Sequence, residues 1–116
     1  MRVALMASVA LLSATAAAVA AVLAPNEIQT TFFNGQPFTA STSSLKYKMT
    51  FAADGKMSRE PIGKAGGKSE GTWKLSKDGF CTTWKGSKAN CYRVQSAGEN
   101  KWSVMKGSSS VATWTK

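Results

Sequence analysis

The sequence predicts an all-β fold, namely a small antiparallel meander, barrel or sandwich of six to eight short strands with one disulfide, preceded by a helical signal peptide. Three observations favour this fold. Apolar and polar residues alternate in short runs between residues 45 and 116, which is the period of a strand with one buried face. Turn residues separate the runs at regular intervals. The connections are too short for crossover helices, so we expect antiparallel pairing.

The start of the chain has the composition of a secretory signal peptide over residues 1–20. Arg2 supplies a basic start, an uncharged apolar run follows, and small residues precede Ala20 and Ala24. We expect cleavage after Ala20, although a cut after Ala24 also fits the pattern. The apolar run is about long enough to span a bilayer, so an uncleaved anchor is the alternative.

Residues 21–44 are predicted to form an N-terminal arm or short strands, because they show neither helical periodicity nor a long alternating run. Asn34 and Gly35 form a turn signal. We expect this segment to dock on the remainder of the chain through its three aromatic residues, Phe32, Phe33 and Phe38.

The predicted β-domain covers residues 45–116 and begins with a strand that alternates Leu45, Tyr47, Met49 and Phe51 with polar residues. A turn at Asp54 and Gly55 leads to a return strand, which Pro61 ends or places at an edge. A glycine-rich loop follows over residues 63–71. The further predicted strands cover residues 72–76, 80–85, 91–95, 102–106 and 111–115.

The four tryptophans serve as core residues or as a ligand platform. A small β-domain without long aliphatic runs must fill its interior with aromatic side chains, so we expect Trp73 and Trp84 to be buried. Trp102 and Trp114 fit the same role, and they are also the candidate aromatic platform for sugar rings or bases.

The two cysteines, Cys81 and Cys91, lie on neighbouring predicted strands joined by a short turn. In an exported chain such a pair most simply forms a disulfide. The sequence has no CxxC motif and no histidine to complete a metal site. We therefore expect a structural disulfide, no metal and no cofactor.

The sequence also argues against an enzyme. The absence of histidine excludes the commonest general base and the Ser-His and Cys-His nucleophile systems. Asp54 and Asp78 precede glycines in turns, where a short acceptor side chain has a structural role. No spacing indicates a catalytic carboxylate pair among Glu60, Glu70 and Glu99.

The chain is strongly basic, with 15 lysine and arginine residues against 6 acidic ones. Such a charge attracts polyanions, or alternatively serves only solubility. Nucleic acid is disfavoured as a partner because lysine greatly outnumbers arginine, the usual residue for base recognition. The candidate anion-binding residues are Lys46, Lys48, Lys74, Lys85, Lys88 and Arg93.

Four short motifs together resemble a family of small exported alphaproteobacterial proteins, rhizobial ones among them, known as a domain of unknown function. In order they are Phe51-x-x-Asp54-Gly55, Gly71-Thr72-Trp73, Cys81-x-x-Trp84 and Cys91-Tyr92-Arg93-Val94. The resemblance covers about residues 45–116. It implies a β-rich domain with a disulfide, located in the periplasm or secreted from a Gram-negative bacterium, and it implies no activity.

These observations lead us to expect an exported binding module for an anionic cell-envelope component, such as a polysaccharide, lipopolysaccharide or acidic lipid. Two alternatives stay open at this point. One is a proteinaceous inhibitor of a secreted hydrolase that acts through an exposed loop. The other is a lipocalin-like carrier of a small ligand, which requires an open apolar interior. The sequence does not determine the oligomeric state.

Overall fold

The computed structural model describes residues 21–63 and 66–116, in which eight antiparallel strands close into one barrel. Each strand pairs with the next one along the chain, and the last strand pairs with the first. The elements are α1 (Pro25–Phe32), β1 (Phe38–Ser41), β2 (Lys46–Phe51), β3 (Lys56–Pro61), β4 (Ser69–Leu75), β5 (Phe80–Trp84), β6 (Asn90–Gly98), β7 (Lys101–Lys106) and β8 (Ser109–Thr115). The predicted fold class is confirmed. The predicted signal peptide lies outside the described residues.

The strand register follows from the alternating pattern and the turn residues. In the β2–β3 hairpin Phe51 pairs with Met57, and both side chains are buried. Gly55 in the turn has a φ of 96°, a conformation that suits glycine. The Asp54 carboxylate accepts a hydrogen bond of 3.1 Å from the Lys56 N–H. The aspartate and glycine thus form the turn that the sequence predicted.

The barrel interior is filled mainly by aromatic and sulfur-containing side chains. Along each strand every second residue faces inward, so one face of the sheet becomes the core. The buried hydrophobic cluster consists of Ile28, Phe32, Phe33, Phe38, Ala40, Met49, Phe51, Met57, Trp73, Phe80, Val94, Val104 and Trp114. Trp73 is buried as expected, and its indole N–H donates to the Ala52 carbonyl at 2.8 Å.

The segment before β1 forms the helix α1, which corrects the expectation of an arm or short strands there. Pro25 occupies the first helical turn, where a missing N–H costs nothing. The Glu27 carboxylate accepts a hydrogen bond of 2.7 Å from the Ala24 N–H just before the helix. Ile28 and Phe32 lie one turn apart on the same face, and both are fully buried. In residues 21–63 and 66–116, no helix is both long and apolar enough to cross a bilayer.

Helix α1 closes one end of the barrel, which we call the plugged end. The Phe33 ring stacks on the Phe51 ring with 4.4 Å between centroids, and it lies equally close to Trp73. The Phe32 ring packs edge-on against Trp102, at 4.8 Å. The Gly35 N–H donates to the Phe51 carbonyl at 2.9 Å. The β2–β3, β4–β5 and β6–β7 turns also lie at the plugged end, and the β1–β2, β5–β6 and β7–β8 turns lie at the opposite, open end.

Residues 21–23 complete the barrel wall beside β6. β5 pairs with β6 only from Phe80 to Thr82, so the later part of β6 has no partner in β5. There the Leu23 N–H donates to the Val94 carbonyl at 2.8 Å, and Val22 forms a bridge with Gln95. β1 likewise belongs to the barrel, because it pairs with both β2 and β8. These pairings correct the predicted domain boundary at residue 44, since residues before it form part of the barrel.

The disulfide between Cys81 and Cys91 is confirmed. The two residues are direct partners across β5 and β6. They alternate with the inward-facing Phe80, Thr82 and Tyr92, so the bond lies on the outer face of the sheet, where Cys81 is buried and Cys91 is exposed. It reinforces one of the two shortest strand pairings of the sheet, since three residue pairs join β5 to β6, as many as join β1 to β8.

We expect Phe33→Ala to lower the free energy of unfolding by about 3–5 kcal/mol, because it empties the centre of the plug. Chemical denaturation with the refolded protein measures this loss. Asn26→Ala, an exposed change on the same helix, is the control and should stay within about 0.5 kcal/mol of the wild type. A loss below about 1 kcal/mol for Phe33→Ala would contradict the plug.

We expect the double substitution Cys81→Ala/Cys91→Ala to lower the free energy of unfolding by about 2–3 kcal/mol, because the bridge closes a loop with a sequence separation of 10 residues. Denaturation of the variant and of the reduced wild type should give matching values. Alkylation of the unreduced, denatured protein followed by mass spectrometry should find no free thiol, and two labelled cysteines would refute the bridge.

Candidate functional site

The open end of the barrel leads into a cavity of about 180 Å³, which we call the mouth cavity. Its lining is mostly apolar and comes from seven of the eight strands. The lining residues are Ala40, Thr42, Tyr47, Met49, Phe51, Arg59, Phe80, Thr82, Trp84, Tyr92, Val104, Val111, Ala112 and Trp114. Arg59 is the one charged residue among them.

The register of β3 places Arg59 inside the barrel. Met57 and Arg59 are two residues apart and therefore share a face. Arg59 pairs with Met49 on one side and with Ser69 on the other, and Met49 is buried. The sheet thus directs the arginine side chain to the core face near the open end, where it is half-buried.

The Arg59 guanidinium lies between two aromatic rings. Its central carbon is 4.2 Å from the Trp84 ring centroid and 4.9 Å from that of Tyr47. Each such contact is worth about 0.5–1 kcal/mol at an exposed site and more when water is excluded. The rings thus offset part of the cost of moving the charge out of water.

The edge of the same guanidinium is available to a ligand. A guanidinium carries five N–H donors in its plane and no acceptor. Within residues 21–63 and 66–116, the structure contains no hydrogen bond and no ion pair from the Arg59 side chain. An unpaired cation beside an apolar cavity is suited to bind an anionic group, because a carboxylate or phosphate accepts two parallel N–H bonds from it.

The charges of the described residues are distributed unevenly between the two ends of the barrel. The open end and the strand segments beside it carry the basic residues Lys46, Lys48, Arg59, Lys68, Lys85, Lys88 and Lys106. Only two acidic residues, Glu60 and Glu70, lie near them. The other four described acidic residues, Glu27, Asp54, Asp78 and Glu99, lie toward the plugged end. The resulting field attracts anions to the mouth cavity.

The only ion pair of the described residues joins the Lys48 ammonium to the Glu60 carboxylate at 3.8 Å. Both side chains are about half exposed, so the pair contributes about 1 kcal/mol or less. It lies on the outer face of the barrel, because Lys48 alternates with the inward-facing Tyr47 and Met49. The pair therefore does not neutralise Arg59.

The six predicted anion-binding residues do not form one cluster. Lys46, Lys48, Lys85 and Lys88 lie toward the open end, on β2 and in the β5–β6 turn. Lys74 pairs with Cys81 on the outer face, beside the disulfide. The Arg93 guanidinium donates to the Gly107 carbonyl at 2.7 Å, so it is engaged by the protein.

The two tryptophans predicted as an aromatic platform face the barrel interior. Trp114 is 3% exposed and packs against Phe32 and Phe38, so it has no face for a ligand outside the barrel. Trp102 is half-buried against Phe32. Trp114 lines the mouth cavity from inside the barrel, so the expected platform stays a prediction. The aromatic rings beside the cation are those of Tyr47 and Trp84, the second of which was expected to be a plain core residue.

Arg59 is the candidate site residue that sequence reasoning missed. Its signal was present in the return strand, where Met57 marks the buried face and Arg59 follows two residues later. A charged residue in phase with the core positions of a strand is unusual and indicates either a paired charge or a binding site.

Comparisons of the chain with protein-family models, with curated proteins and with solved structures found no match. The family resemblance of the four short motifs therefore stays a prediction. Within the described part of the chain, no three acidic, cysteine or histidine side chains come together as ligands for a metal ion.

The stacking of Arg59 predicts a distinct NMR signature. Protons above an aromatic ring shift upfield, so the δ and ε protons of Arg59 should resonate upfield of those of Arg93, which lies on the outer face. Trp84→Leu should move the Arg59 signals most of the way back and leave those of Arg93 unchanged. Equal shifts for the two arginines in the wild type would contradict the stacked geometry.

Proposed function

We propose that the protein is an exported binding module for an anionic component of the cell envelope, and that it binds the anionic group of this component at Arg59. The observation that carries the proposal is the guanidinium held between two aromatic rings, with no partner among the described residues, at an apolar cavity. An aromatic sandwich orients the N–H donors before any ligand arrives, which reduces the entropy that binding costs.

The size of the mouth cavity limits what enters it. An engineered apolar cavity of about 150 Å³ holds one benzene molecule, whereas sites for drug-sized ligands measure about 300–1,000 Å³. At about 180 Å³, the mouth cavity matches one ring or a short aliphatic group. This favours recognition of an end group, while the remainder of the ligand stays outside, over enclosure of a whole ligand by a lipocalin-like carrier.

Four lysines around the open end, Lys46, Lys48, Lys88 and Lys106, contribute attraction over a distance more than contact. Exposed ammonium groups raise the local concentration of anions, and salt screens this effect over about 10 Å at 0.1 M. Arg59 is half-buried beside apolar groups, so its interaction with a bound anion is screened less. Salt should therefore slow the association of a ligand more than it weakens the contact at Arg59.

The test is a titration with benzoate, which combines one ring with one anionic group, followed by ¹⁵N NMR. We expect shifts of the Arg59 side chain and of the Trp84 indole N–H. The Trp73 indole, which is bonded to Ala52 near the plugged end, should not move. Arg59→Gln should weaken benzoate binding by about tenfold or more, the loss expected for one charge-assisted contact.

The matched control is Arg93→Gln, which removes the same charge from the outer face and should keep wild-type affinity. Acetate has the anion without the ring, and benzyl alcohol has the ring without the anion, so each should bind more weakly than benzoate. Equal loss in the two arginine variants, or equal binding of all three compounds, would refute a site built on Arg59.

A further inference from the structure

A cleft adjoins Arg59 and Trp84 at the rim of the barrel. Its other lining residues are Lys68, Ser69, Glu70, Lys85 and Ser87. Because Arg59 and Trp84 line both spaces, the mouth cavity and this cleft meet at the same guanidinium. A single ligand can therefore contact both spaces, with an apolar group on one side and a polar group on the other.

We propose that the cleft binds the phosphoryl group of an organic phosphate monoester, while the apolar part of the same molecule occupies the mouth cavity. The proposal rests on the function proposed above and names the chemical class of the ligand. The phosphoryl oxygens contact Arg59, the ammonium groups of Lys68 and Lys85, and the hydroxyl groups of Ser69 and Ser87.

The charge of the cleft favours a phosphate monoester over a carboxylate. Three cations and the carboxylate of Glu70 leave two net positive charges around the cleft. A phosphate monoester carries about −1.5 to −2 at pH 7, whereas a carboxylate carries one negative charge. Among the described residues the only ion pair is Lys48–Glu60, so Glu70 is not within 4 Å of either cleft ammonium.

The number of hydrogen-bond donors around the cleft also favours a phosphate monoester over a carboxylate. One guanidinium edge already bonds both oxygens of a carboxylate, so the lysines and serines of the cleft would find few acceptors on such a ligand. A monoester has three terminal oxygens, so two ammonium groups and two hydroxyl groups find acceptors beside those that Arg59 bonds.

Backbone pairing brings Ser69, Lys85 and Ser87 to the cleft without a ligand. Ser69 is the direct partner of Arg59 across β3 and β4. The Ser87 N–H donates to the Trp84 carbonyl at 2.8 Å, and this turn brings the serine back toward the tryptophan. The Lys85 N–H bonds the Glu70 carbonyl, which links the end of β5 to β4. The cleft is thus built by strand pairing and one tight turn.

The first experiment compares phenyl phosphate, benzenesulfonate and benzoate by calorimetry or NMR titration. At about pH 7.5 we expect phenyl phosphate to bind about tenfold more tightly than benzenesulfonate, which has a similar shape and one charge. The second ionisation of a phosphate monoester lies near pH 6, so its affinity should fall as the pH is lowered through 6 toward 5. Benzenesulfonate stays a monoanion and should show no such fall.

The second experiment uses Lys68→Gln, Lys85→Gln and the double variant. These changes should remove most of the preference for phenyl phosphate over benzenesulfonate. They should leave the affinity for benzoate within about twofold of the wild-type value. The matched controls are Lys77→Gln and Lys101→Gln, which remove the same charge near the plugged end and should keep the preference. Circular dichroism of each variant checks that the barrel is intact.

Two arms distinguish a lipid source of the phosphoryl group from a soluble one. Phosphatidylcholine vesicles containing phosphatidic acid present a monoester, and vesicles containing phosphatidylglycerol present a diester with one charge. Binding to the first vesicles alone, lost in the double lysine variant, supports a lipid headgroup. Binding of soluble phenyl phosphate with no binding to either vesicle supports a soluble monoester.

Three results would overturn the inference. These are equal affinities for phenyl phosphate and benzenesulfonate, equal loss in the cleft and control lysine variants, and measurable but equal binding to both kinds of vesicle. If benzoate binding still depends on Arg59 in that case, the proposed function stands without the phosphoryl cleft. If benzoate binding does not depend on Arg59, the proposed function fails as well.

Discussion

The packing of Phe33 into the plugged end of the barrel is the contact on which the other features of this protein depend. An eight-stranded barrel has an interior just wide enough for side chains, and a chain this short has few large aliphatic residues to fill it. Phe33 contacts Phe51, Phe80 and Trp114, and these three residues line the mouth cavity on their other side. The depth of the cavity is therefore set by how far the helix inserts its aromatic side chains.

The two ends of the barrel differ in the side chains that fill them. At the plugged end, aromatic rings pack on one another. The Trp73 indole N–H of this cluster donates a hydrogen bond to the Ala52 carbonyl. At the open end, a charge lies on the core face of β3, a position that an apolar side chain would otherwise occupy. Tyr47 and Trp84 stabilise this charge by stacking without neutralising it, so its N–H groups stay available. Arg59 indicates a candidate site because it is a charged residue on the otherwise apolar core face, and the packing of the barrel does not require a charge at this position.

The candidate site was only partly predictable from the sequence. The lysines at the open end were recognised by their charge, and four of the six candidates do lie there. Lys74 and Arg93 were included because they alternate outward near the cysteines, but Lys74 lies beside the disulfide and Arg93 is bonded to the Gly107 carbonyl. The aromatic residues could not be assigned from composition, because Trp84 and Trp114 both occur in alternating runs. Their difference is depth along the barrel axis, which the alternating pattern does not encode.

Local chemistry in the sequence was sufficient for strands β2 to β8, for their turns and for the disulfide. The alternation of apolar and polar residues indicates which face of a strand is buried. Asp54 and Gly55 form their turn through their own side chain and backbone. Cys81 and Cys91 become partners because one short turn separates their strands. Tertiary structure alone decided the closure of β1 on β8, the insertion of residues 21–23 beside β6, and the meeting of Tyr47, Arg59 and Trp84. Helix α1 belongs with these, since two turns with one buried pair are stable only when the barrel accepts Ile28 and Phe32. The physical reason is that these contacts join residues far apart along the chain, and their geometry depends on the register of every strand between them.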